Sequence, residues 1–489
     1  MNSKFHSPDA ALSTSPAPPD LGALPEWRLQ DLYESMDSPR FSADLERAEQ
    51  EAKLFAEAYR GKIAEIAAKP DAGETLALAV KAYESLQDLT GRIMAYASLL
   101  YASDTSNPAI AKFYGDAQER VTALAGDVLF FELELNRLDD AKLTGAMAAP
   151  ALGHYRPWLE DIRKEKPHQL ADDLERLFLD KSVSAAAAWN RLFDDTMAAL
   201  RFDFEGESLT LEPLLGKLMD PDAKIRETAA NALAATLGAN LRLFTLITNT
   251  LAKDKETSDR WRKFKDVADS RHLANRVEPE VVDALVTAVT DGYPRLTHRY
   301  YALKARWFDK AQLDHWDRNA PLPNAPRRVY KWETARDMVL GAYSEFSPRM
   351  GDIARRFFDE GWIDAPVRPC KAPGAFAHTT TPSAHPYILV NFLGKARDVT
   401  TLAHELGHGV HQVLAGVNGP LMAPTPLTLA ETASVFGEML TFRSMLAAGG
   451  SKSYSELLAP FGLDAKDPGF WTIGLSVVER MIDELETMA

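Results

Sequence analysis

Apolar residues recur at intervals of three and four along most of this 489-residue chain, with polar residues between them. This spacing is close to the 3.6-residue period of an α-helix, and it predicts almost continuous helix from about Ser42 to Leu200. Further helices are predicted over residues 222–237, 241–251, 279–303 and 334–361. Proline breaks the hydrogen-bond ladder of a helix, so interruptions are expected at Pro70, Pro108, Pro150 and Pro167. The predicted fold class is therefore mainly α.

A short alternation of apolar and polar residues interrupts the helical pattern near the middle of the chain. Residues 200–206 alternate, and residues 208–211 follow with a second short run. Together they predict a β-hairpin that turns at Glu205-Gly206. We place a candidate domain boundary at this hairpin.

A second stretch, residues 374–392, is rich in β-branched and aromatic side chains. It predicts two strands joined by a turn at Pro382-Ser383. An edge strand of this kind can hold an extended peptide by main-chain hydrogen bonds. The candidate peptide-binding residues are Gly374, Phe376, His385 and Tyr387. The alternative is that His378 and His385 are ordinary turn residues.

The clearest chemical signal lies between Asp398 and Gly416, where residues 404–408 read HELGH. A helix turns about 100° per residue, so His404 and His408 lie about 40° apart on one face. Both imidazoles can then reach one tetrahedral metal ion, and zinc is the natural candidate. The alternative is a surface helix that carries two histidines by chance.

The other residues of this stretch support a helix. Four apolar residues fall together on the face opposite the histidines: Leu402, Leu406, Val410 and Val413. Asp398 is the predicted N-cap and Gly416 the predicted glycine just after the last turn. Gly407 and Gly409 each cost about 1 kcal/mol relative to alanine inside a helix. Close approach of another backbone would explain both glycines.

Glu405 projects about 100° from the histidine face, beside the metal ion and not onto it. This position suits a general base that takes a proton from zinc-bound water and passes it to the leaving amine. Cobalt or manganese would fit the same ligand types.

A zinc site of this type needs a third protein ligand. His411 is near in sequence, but the glycine turn and further histidine of the metzincin pattern do not follow it, so we assign it to packing or support around the ligands. The preferred ligand is Glu431, on a second predicted helix whose N-terminus is marked by Thr425-Pro426. Glu438 lies on the same side of that helix and is expected to accept a hydrogen bond from a ligand histidine. The alternative for Glu431 is a capping box with Thr428.

The composition and net charge of the chain limit the classes of function it can have. A net charge of −15 argues against binding of nucleic acid or an anionic membrane. The single Cys370 excludes a disulfide framework and fits a reducing compartment, so a cytoplasmic location is predicted. No run of eighteen apolar residues is present, so no membrane span is expected. Residues 1–24 are rich in proline and serine and are predicted to be a disordered leader.

With HELGHGVHQ, PLTLAETASVFGEML and the preceding HPYILVNF, the chain resembles the oligoendopeptidase F branch of the thimet oligopeptidase family. The similarity extends more loosely to residue 24. It implies a two-lobed helical body around a deep channel that admits oligopeptides, with an N-terminal domain over 25–205 and a catalytic domain over 206–489. It also implies one zinc ion per chain, held by His404, His408 and Glu431, with Glu405 as the base.

The sequence departs from the family after the second helix. The stretch from Ala447 to Glu486 is similar to the family's C-terminus, and an intervening segment is expected to be missing near residues 446–449. In relatives that segment carries histidine and tyrosine side chains that bind substrate and stabilise the oxyanion. After Glu431 this sequence has no histidine and one tyrosine, Tyr454. Loss of an oxyanion donor typically costs about 2.7 to 4 kcal/mol in barrier.

Three hypotheses for function follow from the sequence. The first is a zinc metalloendopeptidase acting on oligopeptides. The second is a catalytically impaired relative that binds zinc and peptides without efficient turnover. A zinc aminopeptidase is a weaker third, because no stretch resembling G-x-M-E-N is present to hold a free amino terminus.

Overall fold

The structure, a computed structural model, describes residues 20–323 and 328–448. The first part of the chain is helical, as the apolar spacing predicts. Its helices are α1 (Pro39–Tyr59), α2 (Ile63–Ile66), α3 (Ala72–Ser103), α4 (Pro108–Val128), α5 (Phe130–Arg137), α6 (Asp140–Ala146), α7 (Pro150–Gly153), α8 (Arg156–Lys164), α9 (Asp172–Ser182) and α10 (Ala186–Ala199). Helices α4 and α7 begin at predicted breaks, Pro108 and Pro150. The Asn107 side chain caps α4 by accepting two main-chain N–H groups.

The predicted hairpin is present, and helices follow it. Strands β1 (Phe202–Phe204) and β2 (Glu207–Leu209) pair antiparallel. Glu205 and Gly206 both have positive φ, 54° and 86°, as a tight hairpin turn requires. The next helices are α11 (Leu211–Lys217), α12 (Ala223–Ala239), α13 (Leu241–Arg262), α14 (Asp269–Ala274), α15 (Pro279–Gly292) and α16 (Thr297–Trp307).

The last described part of the chain combines helices with a small sheet. Its elements are α17 (Trp332–Phe346), α18 (Pro348–Asp359), β3 (Ile363–Asp364), β4 (Phe376–His378), β5 (Tyr387–Leu389), α19 (Ala396–Ala415) and α20 (Leu427–Ala448). The strand order is β3-β5-β4, with β3 parallel and β4 antiparallel to the central β5. The small β element predicted beside the metal helix is therefore present, and β4, one of its two edge strands, packs against α19.

One large hydrophobic core joins the N-terminal helices to the sheet and to α19. Leu402, Leu406 and Val410 of α19 are buried in it, and Val413 packs at its border. The apolar face predicted for this helix is thus confirmed. The opposite face of α19 carries the two histidines of the HELGH sequence.

Two predicted helices are each broken into two by a proline. The helix predicted over 279–303 stops at Gly292 and resumes at Thr297, on either side of Pro294. The helix predicted over 334–361 is interrupted at Ser347, which is extended and caps α18 by accepting the N–H of Met350. In both cases the apolar spacing continues across the break. Ser347 has the extended conformation that proline favours in the residue before it. Tyr293 stays right-handed helical, and Pro294 interrupts the helix because it has no N–H to donate.

The ends of α19 also differ from the prediction. Asp398 is not the N-cap but lies three residues inside the helix, where its carboxylate accepts the N–H groups of Leu393 and Lys395. Gly416 remains right-handed, with φ −56°, and the chain continues into a short 3-10 turn. The positive φ that ends the segment belongs to Gly419, at 86°.

The described residues begin inside the predicted leader. The N–H of Trp332 donates to the carbonyl of Leu21, and Leu21 and Leu24 pack against the core. Residues 20–24 therefore belong to the folded chain, because apolar side chains and a main-chain hydrogen bond hold them. The leader prediction for residues 1–19 lies outside the described residues. The predicted gap near residues 446–449 lies at their C-terminal edge, and the stretch that follows it lies outside them.

In the described part of the chain, no single helix has both the length and the apolar composition that a membrane crossing requires. Helices α12 and α13 meet that requirement only as a pair, and they are bent by 67° at their junction.

Candidate metal centre

Helices α19 and α20 approach each other closely because glycines stand at the contact. A Cβ added to Gly407 would lie 2.6 Å from the carbonyl oxygen of Ala433 on α20. Gly437 of α20 faces the hydroxyl of Tyr343, which donates a hydrogen bond to the carbonyl of Ala403. Close approach of a backbone therefore explains Gly407, as predicted. For Gly409 the close neighbour is instead the ring of Phe357.

This contact brings a carboxylate of α20 to the two histidines of α19. Oε2 of Glu431 lies 3.3 Å from Nε2 of His404 and 3.6 Å from Nε2 of His408. One ligand atom from each residue falls within 4.8 Å of the others, and no other such group of three occurs among the described residues. These three side chains can hold a metal ion.

Neighbouring side chains orient two of the three candidate ligands. Nδ1 of His404 lies 3.3 Å from Oε2 of Glu438, so an Nδ1–H there donates to the carboxylate and leaves Nε2 free to bind a metal. Ser434 donates to Oε2 of Glu431 over 2.8 Å. Thr428 lies inside α20, which begins at Leu427, so it does not hold the N-cap position that the capping-box alternative requires. Its hydroxyl donates to the carbonyl of Asn275.

His411 lies one turn beyond His408 on the same helix but outside the group of three. Burial lowers the pKa of His408, and the charges of His404 and His411 lower it further, while Glu431 raises it. A neutral imidazole is the form that binds metal, so this environment favours ligation.

Glu405 is 6% exposed and lies beside the three ligands. Burial raises the pKa of its carboxyl to about 7; the nearby His404 opposes this shift, and the Glu431 carboxylate adds to it. A carboxyl with a pKa near neutrality can both take up and release a proton at physiological pH.

The candidate peptide-binding residues differ in what they offer to a ligand. Gly374 is exposed, although its N–H donates to Glu212, and Phe376 is partly exposed on the edge strand. His385 stacks on Trp362, with ring centroids 4.0 Å apart, and its Nε2 lies 3.2 Å from Oδ2 of Asp31.

Tyr387 is fully buried, and its hydroxyl donates to the carbonyl of Arg28. In this structure Tyr387 therefore supports strand β5 from inside the core. Its role in peptide binding, like that of Gly374, Phe376 and His385, stays a prediction.

His378 has a defined place at the end of β4. Its Nδ1 accepts the N–H of Thr380 over 2.9 Å, which makes Nε2 the protonated nitrogen, and Nε2 lies 3.3 Å from the hydroxyl of Ser98. Burial lowers the pKa of His378 to about 4. His378 is therefore the last residue of β4 and not a turn residue, and the hydrogen bonds of its ring are structural.

Sequence reasoning missed Tyr343 and Gln412 as parts of this region. Tyr343 is buried on α17 and supports the ligand helix through Ala403, the residue before His404. Gln412 lies one turn beyond His408, and its Nε2 donates to the carbonyl of Ala377 in β4 over 3.1 Å. The position of Gln412 on the histidine face was a usable signal, whereas nothing in the spacing of α17 identifies Tyr343.

The sequence of this chain is similar to those of known oligopeptidases. The chain is 25% identical to oligopeptidase PepF of Bacillus subtilis, over 85% of this chain and 61% of that protein. It is 24% identical to the chromosomal oligoendopeptidase F of Lactococcus lactis subsp. cremoris, over 90% of this chain and 73% of that protein. It spans about three fifths of the length of several curated relatives that it matches.

Solved structures share the fold. The oligoendopeptidase F of Enterococcus faecium superposes with a TM-score of 0.57 and 16% identity, over 92% of this chain and 98% of that one. PZ peptidase A superposes with a TM-score of 0.66 and 18% identity, over 83% and 68% of the two chains. These likenesses confirm a mainly α fold.

Two family matches divide the chain near the β1–β2 hairpin. Residues 134–202 match the oligopeptidase F N-terminal family, and residues 218–459 match Peptidase family M3. Together the two matches cover well over half of the chain and include every residue of the candidate metal centre. The chain therefore belongs to Peptidase family M3, in its oligoendopeptidase F branch.

Proposed function

We propose that this chain is a zinc-dependent metalloendopeptidase that hydrolyses internal bonds of short, unstructured oligopeptides. The observation that carries the proposal is the meeting of His404, His408 and Glu431 beside the buried carboxyl of Glu405. The names of the relatives, which are oligopeptidases and oligoendopeptidases, support the substrate class.

The three candidate ligands fit zinc in type and spacing. Two imidazoles and one carboxylate are a common protein ligand set for catalytic zinc. Ligands at about 2.0 to 2.1 Å in tetrahedral geometry lie about 3.3 Å from each other. The separations of Glu431 from His404 and His408, 3.3 and 3.6 Å, match this value with little rearrangement. When bound, zinc would supply Lewis-acid chemistry and lower the pKa of a coordinated water.

In the proposed reaction Glu405 is the general base. Its carboxylate takes a proton from the attacking water, and the same oxygen then gives that proton to the amine that leaves as the peptide bond breaks. Burial keeps the carboxyl out of bulk water, so the proton stays within the site. Glu438 holds the proton on Nδ1 of His404 during these steps.

The substrate is proposed to lie along strand β4, the edge strand of the β3-β5-β4 sheet that packs against α19. An extended peptide can add to such an edge by main-chain hydrogen bonds, which select an unstructured chain over a folded one. The contact of β4 with α19 brings a peptide in this position near the metal centre.

The test is cleavage of an internally quenched oligopeptide by the purified protein, with and without added zinc. We expect zinc-dependent cleavage that Glu405→Gln abolishes while zinc binding is retained, because Glu405 moves a proton and does not hold the ion. Cleavage that persists in Glu405→Gln would remove the mechanism.

The same experiment distinguishes the impaired relative from the enzyme. Folded protein that binds zinc and peptide but gives no turnover would show that the metal site is present without efficient catalysis. Retained zinc affinity in Glu405→Gln, compared with lost affinity in His408→Ala, controls for the integrity of the site in either outcome.

A further inference from the structure

The edge strand β4 directs one pair of main-chain groups away from the sheet. The N–H groups of Ile388 and Val390 donate to the carbonyls of Trp362 and Asp364, so the main-chain groups of Ile388 in β5 face β3. Ala377 pairs with Ile388 across the β4–β5 ladder. Main-chain groups alternate in direction along a strand, so the N–H and C=O of Ala377 point away from β5, toward the edge.

The side chain of Gln412 donates a hydrogen bond to the Ala377 carbonyl at this edge. Its Nε2 lies 3.1 Å from the carbonyl oxygen. Gln412 lies one helical turn beyond His408, on the face of α19 that carries the candidate ligands. An extended peptide that adds to β4 would place one of its own N–H groups against this carbonyl. Gln412 and a peptide backbone therefore compete for the Ala377 carbonyl.

The hydrogen bond from Gln412 to Ala377 contributes little net stability, because the other amide atom of the same side chain is left without a partner among the described residues. That atom, Oε1, is buried. A buried acceptor without a partner costs at least as much free energy as one neutral hydrogen bond contributes. Release of Gln412 from Ala377 would let Oε1 find a partner, which offsets the loss of the bond to the strand.

The structure also leaves room for the side chain to move. Gln412 borders a cavity of about 440 Å³ that begins where β4 ends, at Thr379. Val413 and Gly416 of α19 form part of the same wall. A glutamine side chain that leaves Ala377 can turn into this cavity without displacing a helix.

We propose that Gln412 is a displaceable latch on the edge of strand β4. It occupies the Ala377 carbonyl when no peptide is present and leaves when a main-chain N–H of the substrate arrives. The proposal rests on the proposed function, because it requires a peptide to bind along β4. An exposed edge strand pairs readily with other chains, and a latch of this kind protects the edge without blocking the substrate.

The test is peptide affinity in a background that cannot turn over. Gln412→Met keeps the length of the side chain but cannot donate a hydrogen bond. In zinc-loaded protein that also carries Glu405→Gln, we expect this variant to bind a fluorescein-labelled oligopeptide about fivefold more tightly by fluorescence anisotropy. With Glu405 restored, KM for the quenched peptide should fall by a similar factor while kcat is unchanged.

Matched controls separate the latch from general loosening. Gln87→Met changes a second glutamine that borders the same cavity from α3, and it should leave the affinity unchanged. A series of peptides with one N-methyl group each removes single N–H donors. At one position in the series, the advantage of Gln412→Met over the unsubstituted side chain should disappear.

Equal or weaker peptide binding by Gln412→Met would overturn the latch, and Gln412→Ala repeats the measurement if the methionine variant does not fold. Zinc-dependent cleavage by the wild-type chain tests the proposed function separately. Tighter binding by Gln412→Met without any cleavage by the wild-type chain would support the latch and contradict the proposed peptidase function. Cleavage by the wild-type chain without tighter binding by Gln412→Met would support the peptidase function and contradict the latch.

Discussion

A Cβ on Gly407 would lie 2.6 Å from the carbonyl oxygen of Ala433, so α19 and α20 touch backbone to backbone at this point. Two residues earlier on α20 is Glu431, whose carboxylate reaches both histidines of α19. The distance between the two helices at Gly407 therefore determines whether the third candidate ligand reaches the first two.

Gly407→Ala is expected to destabilise the protein and weaken metal binding together. The added methyl group must push α20 away, and overpacking of this kind typically costs about 1 to 3 kcal/mol. Because Glu431 moves with α20, zinc affinity should fall at least about tenfold. Chemical denaturation and competition with a zinc chelator measure the two effects. Gly341→Ala, inside α17 with no atom near its added Cβ, should instead be neutral or slightly stabilising. Unchanged zinc affinity in Gly407→Ala would contradict this account.

Glu438→Ala is expected to lower zinc affinity about 10- to 100-fold without unfolding the protein. The Glu438 carboxylate accepts from Nδ1 of His404, and its loss leaves the tautomer and orientation of that ring undefined. Isothermal titration with zinc measures the change. Glu46→Ala, at an exposed position on α1, is the matched control and should have no effect. Equal affinity in the two variants would show that Glu438 does not orient His404.

Removal of the metal is expected to lower the melting temperature of the wild-type chain. An ion that joins α19 to α20 binds only the folded state, and at a free concentration of 100 times Kd it contributes about 2.7 kcal/mol. Calorimetry with and without a chelator measures this effect. The chelator should leave His408→Ala unchanged, because that variant lacks one of the three ligands. A similar shift in both proteins would place the stabilising ion elsewhere.

His378 is expected to make stability fall as pH drops from about 6.5 to 4. Its pKa in the folded chain is about 4, below the ordinary 6.5, so the unfolded chain binds a proton in this window before the folded chain does. The stabilisation is complete above pH 6.5 and is lost toward pH 4. By linkage the change is at most about 3 kcal/mol.

The physical cause lies in the hydrogen bonds of this ring. Protonation of Nδ1 would set two N–H donors against each other, since Nδ1 accepts the N–H of Thr380. Denaturation curves of wild type and His378→Gln across this pH range test the prediction, and the variant should lose most of the slope. His154→Gln, at an exposed position, should keep it. An equal slope in wild type and His378→Gln would assign the pH dependence to other groups.

Local pattern was enough to identify the ligand helix and its chemistry. The 3.6-residue period placed Leu402 and Leu406 on the buried face and His404 and His408 on the other, since both outcomes depend only on rotation about one helix axis. The hairpin at Glu205-Gly206 was predictable for a similar reason, because a tight turn needs few residues and a particular backbone conformation.

Boundaries that depend on competing local signals were less predictable. Apolar spacing continues across Pro294 and Pro348, so it concealed two breaks. Asp398 has the residue type of an N-cap, yet its carboxylate reaches back from inside the helix to the N–H groups of Leu393 and Lys395. Strand β3 has only two residues and exists because β5 lies beside it.

The sequence by itself determined which residue types are available for metal chemistry and on which helix face they lie. Only the tertiary structure decided that Glu431, and not His411, meets His404 and His408, because that choice depends on how closely α20 packs against α19 at Gly407. It also decided that Tyr387 is buried and that Gln412 occupies the edge of β4. These contacts join residues far apart in the chain, and no periodicity within a single element encodes the distance between two elements.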